Sequence, residues 1–91
     1  MSEIDLHGNS PEAAPRRLQQ ELHACRVRGL TEIRVITGRG WGNQRQEPIL
    51  RGKVEAWLRG PEARALGVRS FRRVSKGGAL DVELSGGRSR D

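Results

Sequence analysis

Ile33-Arg34-Val35-Ile36-Thr37-Gly38-Arg39-Gly40 decides the fold: it is a short apolar strand that runs into a glycine-bearing polar turn. A segment of the same make stands earlier in the chain, Ile4-Asp5-Leu6-His7-Gly8. The stretch between them reads as one helix. A strand–helix–strand crossover makes its two strands parallel, so both polar turns leave the same edge of one sheet. Open α/β sheets bind their ligands at that edge. Asp5, His7, Thr37 and Arg39, far apart in the chain, are therefore expected as neighbours in space.

Working outward, Ile4 and Leu6 alternate with Asp5 and His7, the period of a half-buried strand, which sends Asp5 and His7 off one face. Asn9 or Ser10 can cap a helix with Pro11 at its first position and Glu12 in its first turn. Ala14, Leu18, Leu22 and Cys25 form its apolar stripe, Pro15 still falls in the tolerant first turn, and Gly29 is the stop. The strand Glu32–Thr37 follows, then a polar, glycine-rich loop from Gly38 to Glu47. Pro48 opens a second helix with Ile49, Leu50, Val54, Trp57 and Leu58 facing inward, and Gly60-Pro61 closes it. A helical turn is expected over Glu62–Leu66.

Two late strands, Val68–Val74 and Ala79–Leu84, are joined by a turn around Lys76-Gly77-Gly78, which suits an antiparallel hairpin. Leu80, Val82 and Leu84 alternate with Asp81 and Glu83. Phe71 is expected inside, but Arg72 and Val74 break the alternation, so a bulge or an early strand end is expected there. The order βαβαββ gives a two-layer α/β sandwich over residues 1–84, a mixed four-stranded sheet with two helices on one face. The Gly-, Ser- and Arg-rich tail, residues 85–91, is expected to be disordered.

With 91 residues, 34% of them hydrophobic, the chain makes one domain with a thin core. Its single cysteine excludes an internal disulfide and fits a reducing compartment. No run approaches the length of a membrane span and no signal-peptide apolar region follows Met1, so a cytoplasmic protein with no membrane partner is expected. The net charge of +6 is unevenly placed. Residues 1–38 carry five Arg and five acids, whereas residues 39–91 carry twelve Lys or Arg against six acids. Fifteen of the seventeen basic residues are Arg, whose planar fork matches phosphate. Codon bias or thermal adaptation also raises Arg usage; the asymmetry between the halves is the stronger sign of a polyanionic partner.

These residues resemble the Smr (small MutS-related) domain. The family's signatures are a strand ending in Leu-or-Ile–Asp–Leu–His–Gly and a second ending in His-or-Thr–Gly–x–Gly, here Ile4-Asp5-Leu6-His7-Gly8 and Thr37-Gly38-Arg39-Gly40. Leu50-Arg51-x-x-Val54-x-x-Trp57-Leu58 and Gly77-Gly78-Ala79-Leu80 extend the likeness, which covers about residues 3–84. Four motifs in the right order make the match specific. The resemblance implies the βαβαββ sandwich, similar to the C-terminal domain of a bacterial translation initiation factor. It also implies nucleic-acid binding, often with endonuclease activity on DNA or RNA, in proteins that stand alone or are attached to mismatch-repair-like ATPases or ribosome-associated proteins. Carried over, it places the active centre on Asp5 and His7 and the phosphate-binding part on Gly38-Arg39-Gly40. One departure stands out: many stand-alone members follow the glycine turn with a histidine and a serine, where this chain has Trp41-Gly42-Asn43.

The chemistry of the residues runs in parallel. Cleaving a phosphodiester needs a base for the nucleophile, an acid for the leaving oxygen and cations for the developing charge. An imidazole serves as either acid or base near neutral pH, and Asp5 is placed to orient that of His7. Against this stand two other readings: Asp5 caps the following turn and His7 is plain surface, or the pair ligates a metal, for which no third ligand is near. Gly38, Gly40 and Gly42 let backbone approach a phosphate, with Thr37, Arg39 and Arg45 beside them. No G-x-G-x-x-G and no P-loop lysine is present, so no nucleotide cofactor is implied; a divalent metal stays open.

Trp41 can stack a base or fold back onto the helices, while Trp57 belongs to the core stripe. His23 reads as a helix-surface residue and Cys25 as small core. Arg51, Lys53, Arg69, Arg72, Arg73 and Lys76 are candidates for backbone contacts or a solvated basic face. An endonuclease is the first functional expectation. A non-catalytic nucleic-acid-binding or ribosome-docking module is the second, and a small-molecule phosphate enzyme is disfavoured by the thin core.

Overall fold

The computed structural model describes residues 2–38 and 46–85, the side chains of residues 46–48 excepted. Four strands, β1 (Ser2–Asp5), β2 (Glu32–Ile36), β3 (Val68–Val74) and β4 (Ala79–Leu84), form one sheet in the order β1-β2-β4-β3. β1 and β2 are parallel, and β4 runs antiparallel to both β2 and β3, so the sheet is mixed as expected. The helices are α1 (Ala14–Arg28), α2 (Gln46–Leu58) and the short α3 (Pro61–Ala65). None of the described helices is long and apolar enough to cross a membrane.

The expected stripe of α1 is fully buried: Ala14, Leu18, Leu22 and Cys25 pack with Leu50 and Val54 of α2 onto Ile33, Val35, Leu80 and Val82 of the sheet. Burial pushes the Cys25 thiol pKa up, as for an inert core residue. The regular helix starts later than Pro11, however. Ser10 accepts the Ala13 N–H on its hydroxyl (3.1 Å) and the Ala14 N–H on its carbonyl (3.0 Å), so Pro11–Ala13 are a capped turn, with Glu12 inside it. Pro15 has no N–H to return to the Pro11 carbonyl, which delays the regular ladder. The end is as expected. Gly29 is left-handed, its N–H bonds the Arg26 carbonyl, and the Leu30 N–H bonds the Cys25 carbonyl.

On α2, Leu50, Val54 and Leu58 are buried, but Ile49 is 53% exposed and so is not part of the inner face. Trp57 sits at the rim, partly buried, with its indole N–H donated to Glu62 Oε1 at 2.9 Å. An indole needs a partner when half-buried, and the helical turn after Gly60-Pro61 supplies one. Phe71 likewise packs against the core from a half-buried position, with the Arg59 guanidinium 5.3 Å from its ring centre.

The broken alternation of β3 has two causes. A register shift between Val68 and Ser70 inserts Arg69 as an extra residue. Arg73, opposite core-facing Leu80, then points to the helical side, where it forks onto Glu55 of α2 (2.7 and 3.0 Å). Ser85 is tied to the fold through its N–H to the Gly67 carbonyl (2.8 Å), and the rest of the expected tail, residues 86–91, lies outside the described residues.

Candidate nucleic-acid site at the sheet edge

The two motifs meet as the crossover requires. Asp5 is the last residue of β1 and pairs with Ile36, and the parallel ladder continues one bond further, from the Leu6 N–H to the Ile36 carbonyl at 2.8 Å. Asp5 and His7 therefore stand alongside Thr37 and Gly38. Both segments then turn away at the same level through left-handed glycines, Gly8 (φ 93°) and Gly38 (φ 91°), a conformation in which a Cβ is strained.

Asp5 and His7 are both exposed. The strand expected to carry both ends at Asp5, and His7 lies in the turn that follows. Asp5 Oδ1 accepts the backbone N–H of His7 at 2.9 Å. The carboxylate thus caps the turn from which the imidazole projects, the turn-cap arrangement that is one of the readings of the sequence. Thr37 is fully buried, in register with core-facing Ile33 and Val35, and its hydroxyl has no hydrogen-bond partner among the described residues. Arg39, Gly40, Trp41, Gly42 and Arg45, the other residues expected here, lie outside the described residues.

A third segment joins this edge. The Gly78 carbonyl accepts the N–H groups of both Thr37 and Gly38 (3.0 Å each), so the turn before β4 clamps the end of β2. That turn is unusual: Ser75, Lys76 and Gly77 are all left-handed, with φ of 54°, 56° and 88°. Non-glycine residues seldom adopt this conformation, and it persists where surrounding contacts impose it. One such contact is visible, the Arg51 guanidinium of α2 donating to the Gly77 carbonyl at 3.0 Å. Lys76, exposed at the tip, adds a cation to the edge. The sequence singles out the glycines here but holds no sign of left-handed Ser75 and Lys76, because either residue type fits many turns.

The open face of the sheet, away from the helices, carries a row that crosses all four strands in register: Glu3, Arg34, Asp81, Arg72. Arg34 forks onto Asp81 at 2.7 and 3.1 Å, and this hydrogen-bonded partner holds the Asp81 pKa below the usual carboxylate range. The Glu55 pKa is lowered in the same way by Arg73. Sequence reasoning misses both pairs; the signal for one is an acid, Glu55, beside Val54 in an apolar stripe. Among the described residues no group of three or more His, Cys, Asp or Glu side chains is arranged to hold a metal ion.

Comparison with known proteins agrees with this architecture. The family model of the Smr domain matches residues 4–85. Among solved structures, the chain is similar to the crystal structure of the Smr domain of Thermus thermophilus MutS2. The two share 30% sequence identity with a TM-score of 0.73, over 92% of this chain and 98% of that one. Comparison with curated proteins finds no match.

Proposed function

The chain belongs to the Smr domain family, and from that premise we propose that it binds nucleic acid and cuts phosphodiester bonds at the sheet edge where Asp5 and His7 stand. The observation that carries this reading is the extension of the parallel ladder by the Leu6–Ile36 bond, which puts the His7 turn beside the Thr37-Gly38 turn. His7 is exposed and so accessible to a substrate. Its imidazole takes the proton of an attacking water or gives one to the leaving oxygen as the P–O bond breaks. Asp5 acts on this group through the turn, fixing the backbone of His7 by the 2.9 Å bond. Lys76, Arg39 and the backbone around Gly38 and Gly40 supply the cations and donors that phosphate requires. The family setting and the basic second half of the chain support DNA or RNA as the partner.

The bond from His7 to Asp5 favours one alternative, a module that binds or docks on a ribosome or a larger protein without cutting. In that case Asp5 is a turn cap and nothing more. A nicking assay on supercoiled DNA and on structured RNA, with and without chelator, separates the two. His7→Ala is expected to lower cleavage by about 10²–10⁴ while binding changes little. Asp5→Asn keeps an acceptor for the His7 N–H and so isolates the charge. A strong loss of cutting, the expected result, means that the carboxylate also acts electrostatically on the imidazole, whereas near-parental cutting leaves Asp5 a turn cap. Loss of parental cleavage in chelator turns Asp5 and His7 into metal ligands. A parent that binds and never cuts, with any metal or substrate, leaves the docking module.

A further inference from the structure

At the end of the sheet opposite the glycine turns, where β3 begins and α2 ends, lies a depression of about 400 Å³. Leu58, Val68 and Phe71 form its apolar part, and Arg59, Arg64 and Arg69 line it. No carboxylate is among its lining residues. Three guanidinium groups around one hollow repel one another unless an anion joins them. The acids within reach are already taken. Glu55 is forked by Arg73 and meets Arg59 only at 4.0 Å, Glu62 accepts from the Trp57 indole, and Glu83 accepts from the hydroxyl of Ser70, which also lines the hollow. Arg64 and Arg69 form no ion pair among the described residues. The bulge is the second sign: Arg69 is the extra residue that breaks the β3–β4 register, and bulges re-aim a side chain.

A charged edge strand also guards a sheet against edge-to-edge pairing, and scattered charges on β3 would serve that end. It does not explain why cations from just past α2, from α3 and from the bulge converge on one hollow. We infer that this depression is a second phosphate-binding site, which anchors a single strand of nucleic acid and lays it along the exposed edge of β3 toward the glycine turns. The inference rests on the nucleic-acid reading above and extends it to a new place on the molecule. β3 has seven residues, so the hollow lies about 20 Å along the strand from the turn that carries Lys76. At about 3.4 Å per stacked nucleotide, roughly six nucleotides span that length, and short strands cannot reach both sites.

The test is fluorescence anisotropy with labelled single strands of about four and about twelve nucleotides, over a range of salt. The parent is expected to hold the longer strand more tightly. The double variant Arg64→Ser with Arg69→Ser is expected to lose about tenfold in affinity for the longer strand and little for the shorter one. Its salt slope should be shallower by about 0.7 for each phosphate that the variant no longer neutralises. Arg69→Ser alone is compared with Arg28→Ser, which removes equal charge from α1; the first should matter and the second should not. Both arginines of the double variant are exposed, so unchanged melting is expected and verifies the fold. If the double variant binds the longer strand like the parent, or if Arg28→Ser weakens it as much as Arg69→Ser, the second site is refuted while the nucleic-acid reading stands. If the parent binds neither strand at any salt, both fall.

Discussion

Two sets of charged side chains sit on the same sheet and are organised in opposite ways. Across the open face, Glu3, Arg34, Asp81 and Arg72 alternate in sign along one row of registered positions, and Arg34 is bidentate to Asp81. At the β3 edge, Arg59, Arg64 and Arg69 gather round one hollow with no acid among its lining residues. The first set balances its own charge, two acids against two arginines with Arg34 and Asp81 paired, and the second calls for an outside anion. Of these two sets, the unbalanced charge therefore sits at an edge of the sheet and not on its broad open face. Total charge identifies the class of partner; pairing decides where that partner lies.

The contrast is sharpest within β4, where adjacent residues serve opposite faces. Leu80 is fully buried under the helices, and Asp81 is buried on the open face by its ion pair. Leu80→Ala is expected to be the more damaging change for stability, about 2–5 kcal/mol, because the cavity opens between sheet and helices. Asp81→Asn removes the charge that holds Arg34 but keeps the shape. With Arg34 about a third exposed, its cost is expected to be nearer 1 kcal/mol. Thermal melting of the two variants checks the order. Equal losses would mean that the open face is as tightly built as the core.

Acid should expose the same paired charges. The Asp81 and Glu55 pKa values are lowered by their arginine partners in the folded protein. Lowered carboxylate pKa values stabilise the fold above the unfolded-state values, about 3.9 for Asp and 4.3 for Glu, and that contribution is lost as pH falls through the folded ones. Melting temperature is therefore expected to hold from neutral pH down to about 5 and to drop below about 4. The variant Glu55→Gln with Asp81→Asn should start lower and show a flatter acid loss. An unchanged acid slope in that variant would assign the loss to other carboxylates.

The contrast also marks what the sequence could reveal. Periodicity and crossover logic are enough for the four strands, the main helices and the meeting of the Asp5 and Thr37 motifs, because each follows from local spacing and chain connectivity. The regular helix begins after Pro11, not at it, because the N–H missing from Pro15 acts four residues back. Ile49 reads as inward-facing by its type, but its position on α2 leaves it exposed. The pairs Arg34–Asp81 and Arg73–Glu55 depend on cross-strand register and on how α2 sits over β3. No single stretch of sequence contains either fact. At the candidate site, the proximity of His7 to the glycine turn is legible, whereas the bond that commits Asp5 to the His7 backbone is a detail of turn geometry.

The smallest expected effect tests the quiet side of the comparison. Glu3→Gln takes the terminal charge off the open-face row while Arg34 keeps its two bonds to Asp81. An exposed single charge of this kind changes stability by no more than about 0.5 kcal/mol. If nucleic acid follows the β3 edge, Glu3 on β1, at the other edge of the sheet, lies off its path and meets it only through screened, long-range repulsion. Affinity for a single strand at about 0.15 M salt is then expected to stay within about twofold of the parent. A severalfold gain would mean that phosphates pass directly over the open face and that Glu3 had been repelling them. In that case the alternating row is a binding surface held in check, and the track along β3 must be redrawn across the sheet.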